Sequence, residues 1–91
     1  MARVLYDRAQ MQPLLDRYDS WVVMRQEFIG FVDASLARGF YGQFNRPFVQ
    51  NIRSAQLAAQ VEVEAARVRW AAALDTEGVV DAADIPSRDR P

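Results

Sequence analysis

The sequence predicts an all-α fold: an antiparallel two-helix hairpin, coiled-coil-like, that assembles with other chains into a larger helical bundle or complex. Apolar residues recur at helical spacing over residues 11 to 36 and again over residues 49 to 73. A segment that contains glycine, asparagine and proline separates the two runs. The 91 residues are 51% hydrophobic, which is too apolar for a disordered chain and enough for one small domain.

The first helix is predicted from Pro13 to Arg38. Pro13 fits the first turn, where its missing N–H costs nothing, and Gly39 can adopt the left-handed conformation that ends a helix. The side chains expected in the core are large and recur on one side of this helix: Leu15, Tyr18, Trp21, Val22, Phe28, Ile29 and Val32.

The second helix is predicted from Pro47 to Leu74, or as far as Glu77, with Asn45 as its N-cap and Gly78 as its stop. Its expected core residues are Ile52, Ala59, Val63, Ala66 and Trp70. A second apolar stripe, Leu57, Val61 and Val68, lies on nearly the opposite side. Because a helix that covers a single neighbour needs only one apolar face, we expect another chain to bury this stripe.

Folding the chain about Gly42 brings residues whose numbers sum to about 87 face to face, so that bulky side chains meet alanines. Arg25 then lies opposite Glu62, which predicts a buried ion pair. In the alternative, the Arg25 side chain extends along the apolar surface to solvent.

Residues 39–48 form an aromatic turn, "GFYGQFNRPF". In one interpretation Phe44 and Phe48 fold back and plug the end of the hairpin. In another, Phe40 and Tyr41 insert into a pocket on another chain, as aromatic interface anchors do.

A third interpretation is a family resemblance. Phe40-Tyr41-Gly42, in the turn of a helical hairpin of this length, resembles the turn of the WXG family of small exported proteins, with Phe where that family has Trp. The resemblance implies pairing into a four-helix bundle. The family's trailing aromatic-x-x-x-acid export signal is not matched, since Asp75 comes one residue too late after Trp70.

The hairpin is therefore predicted over residues 13–77, with an N-terminal arm over residues 1–12 and a C-terminal tail over residues 78–91. The last residues, "DIPSRDRP", have a composition typical of a loose tail.

The residue types present argue against several functions. The chain has no cysteine and no histidine, so thiolate chemistry, the commonest general base and the commonest transition-metal ligand are all missing. We expect no enzymatic activity and no catalytic, metal-binding or cofactor-binding residues. The net charge of −1 argues against nucleic-acid binding. No apolar stretch approaches the roughly 18 residues of a membrane span, and the N-terminus lacks the zones of a signal peptide.

We therefore expect a cytoplasmic protein, or one within a macromolecular assembly, whose partners are proteins, either copies of itself or other subunits. The leading hypothesis is a non-catalytic structural or assembly subunit of a homo-oligomer or larger complex, such as a virion, filament or multisubunit machine. The alternatives are a small exported WXG-like hairpin that works as a heterodimer and an accessory subunit that stabilises a separate catalytic subunit.

Overall fold

The computed structural model describes residues 3–42 and 45–91. Two long helices, α1 (Arg8–Ala37) and α2 (Arg46–Glu77), pack against each other in an elongated hairpin of 55 × 23 × 18 Å. A short antiparallel sheet of two strands, β1 (Leu5–Asp7) and β2 (Val79–Asp81), joins the two ends of the chain. The mostly helical two-helix hairpin predicted from the sequence is confirmed, and the sheet is an addition to it.

Helix α1 begins five residues earlier than predicted, because a capping box starts it. The Asp7 side chain accepts a hydrogen bond from the Gln10 backbone N–H at 2.8 Å, and the Gln10 side chain accepts one from the Asp7 N–H at 3.0 Å. Pro13 consequently lies inside the helix rather than in its first turn. Its missing N–H removes only the bond to the carbonyl four residues earlier.

Both helices end at glycines in the left-handed conformation, as predicted: Gly39 has φ 68° and Gly78 has φ 77°. After α1, the Phe40 N–H donates to the Ser35 carbonyl and the Gly39 N–H to the Leu36 carbonyl, which is the pairing of a Schellman cap. Asn45 is the N-cap residue of α2, as predicted, but its side chain makes no capping hydrogen bond. Pro47, whose φ is already helical, lies at the start of α2.

Two arginine–aspartate pairs link the helices and fix their register. The Arg67 guanidinium donates two hydrogen bonds to the Asp19 carboxylate, at 2.9 and 3.3 Å, and the Arg53 guanidinium makes the same bidentate interaction with the Asp33 carboxylate. Both pairs fall within one residue of the register predicted about Gly42.

The two flanking segments are docked on the hairpin. Strands β1 and β2 pair with Tyr6 opposite Val80, and the Ala82 N–H donates to the Val4 carbonyl at 2.8 Å. Two 3₁₀ turns follow, at Ala82–Asp84 and Ser87–Asp89. The loose tail expected after Gly78 is therefore wrong: Val80 and Ile85 are both almost fully buried.

The main core lies at the end of the hairpin where the sheet and the last 3₁₀ turns meet the helices. It contains buried residues from the first part of α1, the last part of α2, strand β2 and the C-terminal segment: Met11, Leu14, Leu15, Tyr18, Ala66, Trp70, Leu74, Val80 and Ile85. Toward the aromatic turn, the buried apolar residues that the structure describes are fewer and all come from α1: Ile29, Val32 and Leu36. Within the described residues, neither helix has the length and apolar character needed to cross a membrane.

Candidate functional site

A groove runs along one side of the hairpin between α1, α2 and the C-terminal segment 82–90. It contains two cavities, of about 690 and 540 Å³, which share Trp21, Arg25 and Arg88 as lining residues and are therefore neighbours. The cavity nearer the aromatic turn is the smaller one, and it is lined in addition by Met24, Phe28, Gln56 and Asp89.

One hydrogen bond from α2 and one within the segment itself fix the C-terminal segment in the groove. The indole N–H of Trp70 donates to the Asp84 carbonyl at 3.2 Å, and Arg90 Nε donates to the Ile85 carbonyl at 3.0 Å. These bonds and the buried Ile85 side chain hold an irregular segment where a third helix would lie in a bundle.

A buried hydrogen bond closes the segment onto α1. The Tyr18 hydroxyl donates to Asp89 Oδ2 at 2.9 Å, and Asp89 is only 7% exposed. The guanidinium groups of Arg17 and Arg88 lie 3.8 and 3.9 Å from the same carboxylate. Burial, together with the bond to Asp89, raises the pKa of Tyr18 to about 12. The ring also packs against Trp21 and Trp70, with centroid distances of 4.9 and 4.8 Å. This arrangement holds the segment in place.

Arg25 lines both cavities, and the predicted ion pair with Glu62 is wrong. One guanidinium nitrogen of Arg25, Nη1, is buried and has no hydrogen-bond partner within residues 3–42 and 45–91. Glu62 borders the same cavity but stays exposed. Exposure preserves the hydration of its carboxylate, whereas a buried pair would lose it.

Basic side chains outnumber acidic ones around the larger cavity. Its lining contains four arginines, Arg25, Arg69, Arg88 and Arg90, against Glu62 and Asp84. The groove therefore favours a negatively charged or carboxylate-bearing partner.

The residues expected in the core fall into three groups. Six are buried: Leu15, Tyr18, Ile29, Val32, Ala66 and Trp70. Five are half-buried: Trp21, Val22, Ile52, Ala59 and Val63. Phe28 does not belong to the core, because it is 42% exposed and lines the smaller cavity. It lies at the edge of the helix seam, where the described chain covers it only in part.

The residues expected at an interface are mostly on the surface of the isolated chain. Leu57, Val61 and Val68 are exposed, as is Phe40. Tyr41 is half-buried, with its ring edge-on to Phe40 at 5.6 Å. In the plug interpretation of the turn, Phe48 is exposed and plugs nothing, and Phe44 lies outside the described residues.

Sequence reasoning missed the apolar flank of α1, which we define as Met24, Phe28 and Phe31. Met24 and Phe31 are each 63% exposed, and the three residues follow steps of four and three, so they share one side of the helix. That spacing was readable in the sequence. The contributions of Ile85, Arg88 and Asp89 to the groove had no comparable signal, because they depend on where the C-terminal segment folds.

Comparison with protein-family models, curated proteins and solved structures found no match. The resemblance to the WXG turn therefore stands on Phe40-Tyr41-Gly42 and the hairpin layout, and a function has to be argued from the groove and the surfaces beside it.

Proposed function

We propose that this chain is a non-catalytic assembly subunit that binds other protein chains through the half of the hairpin nearer the aromatic turn. The observation that carries the proposal is the α1 flank: Met24, Phe28 and Phe31 are exposed beside an open groove. Methionine and aromatic residues are enriched in protein interfaces, and a contiguous exposed apolar patch usually marks one.

The exposed apolar area is large for so small a chain. Burying a side chain of this size contributes roughly 1.5–3 kcal/mol relative to leaving it in water. Because the three side chains are 42–63% exposed, roughly 2.5–5 kcal/mol of this remains to be gained, which approaches the lower end of the ~5–15 kcal/mol stability of an ordinary domain. A partner that covers the flank recovers this free energy.

The two halves of the hairpin differ in what covers them. Near the termini, the sheet and the C-terminal segment pack on the helices and complete a core. Nearer the turn, the ion pair between Asp33 and Arg53 connects the two helices but does not line the groove. The groove therefore stays open in this half of the hairpin. The open side is where a further helix would complete a bundle.

The aromatic turn offers a second anchor. Phe40 is 76% exposed, and the Arg46 guanidinium donates to the Leu36 carbonyl at 3.3 Å, which ties the start of α2 to the end of α1. An exposed ring on a braced turn is suited to insertion into a partner's pocket.

The test is light scattering after size exclusion on the full chain at micromolar concentration. We expect either a discrete multiple of 10.4 kDa or solubility only with a co-expressed partner protein. The variant Met24→Gln/Phe28→Gln/Phe31→Gln should lose that association while keeping its helical circular dichroism. Val23→Gln is the matched control, because Val23 is exposed on the same helix but outside the flank. A cooperative melt of a strictly monomeric wild-type chain that binds no partner would contradict the proposal.

A further inference from the structure

We infer that the groove is a docking site for the exposed face of α2 in a second copy of this chain, with Glu64 of one copy meeting Arg25 of the next. The inference depends on the proposed assembly function and names its partner. The face in question, here called the α2 stripe, consists of Leu57, Val61, Glu64 and Val68, all of which are exposed.

The α2 stripe has the form of a docking helix face. Its members follow steps of four, three and four, so they lie in one line along the helix. Three are aliphatic, and the fourth places a carboxylate between Val61 and Val68. None of the four lines the groove of its own chain.

The groove has the complementary form. Apolar side chains, Trp21, Met24 and Phe28, line the smaller cavity together with Arg25, which is only half-buried and can therefore be reached by a carboxylate that enters the groove. Arginines also outnumber acids in the lining of the larger cavity, so an incoming carboxylate is attracted to the groove. Opposite these side chains, α2 presents the small Ala59, which leaves room for a helix to approach.

The two surfaces match in length. At about 1.5 Å per helical residue, both the groove-lining run of α1 from Tyr18 to Phe28 and the stripe from Leu57 to Val68 extend for about 15–17 Å. A helix laid along the groove therefore sets the aliphatic members of the stripe against the apolar lining while Glu64 lies near Arg25.

Groove and stripe occupy different sides of the same hairpin. Val61 and Val68 each lie two residues from a groove residue, Ala59 and Ala66, and side chains two apart on a helix point to nearly opposite sides. A copy whose groove is filled thus keeps its own stripe free for the next copy. Such head-to-tail contacts close into a ring or continue as a filament.

The test is an exchange of charge between the two surfaces. Arg25→Glu alone sets two carboxylates against each other, and Glu64→Arg alone sets two guanidinium groups against each other. Each variant should therefore weaken self-association at least about tenfold in sedimentation velocity. An equimolar mixture of the two variants should restore assembly, because every contact in an alternating chain is again between opposite charges. The double variant Arg25→Glu/Glu64→Arg should assemble on its own for the same reason.

The control is Glu27→Arg, an equal charge change at an exposed position of α1 outside both surfaces, which should leave assembly unchanged. Circular dichroism on each variant checks that it remains folded. If the wild type assembles but the single variants assemble equally well, or the mixture does not recover, the docking inference is wrong and the assembly function stands. If the wild type stays monomeric and requires a different protein, the second copy is the wrong occupant. If it stays monomeric and binds nothing, both proposals fail.

Discussion

The hydroxyl of Tyr18, in the first half of α1, donates a hydrogen bond to the carboxylate of Asp89, which lies 71 residues later in the chain. Both residues are buried, and Asp89 also borders the groove beside Trp21 and Phe28. One bond thus connects the core of the hairpin, the docking of the C-terminal segment and the shape of the candidate site.

Removing that donor should destabilise the chain. Tyr18→Phe keeps the ring but leaves the buried Asp89 carboxylate with only the two guanidinium groups at 3.8 and 3.9 Å. Since an unsatisfied buried polar group costs about 1–3 kcal/mol, we expect a loss of that size in urea unfolding. The matched control is Tyr6→Phe, which should change stability by less than about 0.5 kcal/mol. Equal losses in the two variants would show that the hydroxyl of Tyr18 has no special role.

The same bond predicts how stability depends on alkaline pH. The chain has no lysine, histidine or cysteine, so tyrosines are the only side chains that ordinarily titrate between about pH 9 and 12. The pKa of Tyr18 is raised from 10.0 to about 12 in the folded state, so the folded chain retains a proton that the unfolded chain has lost. The stabilisation is therefore complete below about pH 10 and is lost as the pH rises through 12, by roughly 2.7 kcal/mol in total.

Urea unfolding at about pH 9 and again at about pH 11.5 measures this difference. Tyr18→Phe should show a smaller loss over the same interval, because the shifted group is gone. Parallel losses in the wild type and the variant would assign the pH dependence to other groups.

A buried glutamine in the helix seam predicts a substitution that, unlike Tyr18→Phe, does not reduce the stability of the chain. Gln60 is 6% exposed; its amide nitrogen donates to the Val22 carbonyl at 3.2 Å, while its amide oxygen has no partner in the described part of the chain. Methionine has a similar length and no buried acceptor to satisfy. We expect Gln60→Met to leave stability unchanged or to raise it by up to about 1 kcal/mol. Thermal melts beside Gln50→Met, an exposed control, check this. A loss of more than about 1 kcal/mol would mean that the bond to Val22 outweighs the orphaned oxygen.

The hairpin was predictable because its signal repeats many times. Helices of 30 and 32 residues carry several turns of apolar spacing, and each ends at a glycine. The register followed from placing the turn near Gly42, and the pairs Asp19–Arg67 and Asp33–Arg53 fall within one residue of it.

The sheet and the groove were not predictable in the same way. Strands of three residues, such as Leu5–Asp7, are too short for an alternating pattern to emerge. The burial of Ile85 and Asp89 arises only once the helices bring the chain ends together. The sequence did contain a signal for the true start of α1, because the spacing of Asp7 and Gln10 is that of a capping box. Pro13 favoured a later start, and the prediction followed Pro13.

The residues Arg25 and Glu62 show that a predicted register of facing residues does not determine which of them form ion pairs. The pattern places the two residues on the same side of the seam, and both do line one cavity. Whether they pair depends on the free energy of dehydrating each charge, which the spacing of residues does not encode. The exposure of Phe28 was not predictable either. A periodic pattern identifies the apolar side of a helix, but it does not show how far along the helix other parts of the chain cover that side.

Ile85 should determine whether the C-terminal segment stays docked in the groove. Its side chain is 1% exposed within the core cluster, so Ile85→Ala removes well-packed methyl groups. The substitution should lower the free energy of unfolding by about 2–5 kcal/mol, unless the segment detaches before the helices unfold. Detachment would expose the bond between Arg88 and Asp89 to trypsin, because Asp89 would leave its buried site beside Tyr18. We therefore expect cleavage after Arg88 to be much faster in Ile85→Ala than in the wild type, measured by mass spectrometry of a brief digest. The control variant Val4→Ala, altered at an exposed position next to strand β1, should be cleaved at the wild-type rate. If Ile85→Ala is cut no faster than Val4→Ala, the hydrogen bonds from Trp70 to Asp84 and from Tyr18 to Asp89 hold the segment without help from Ile85.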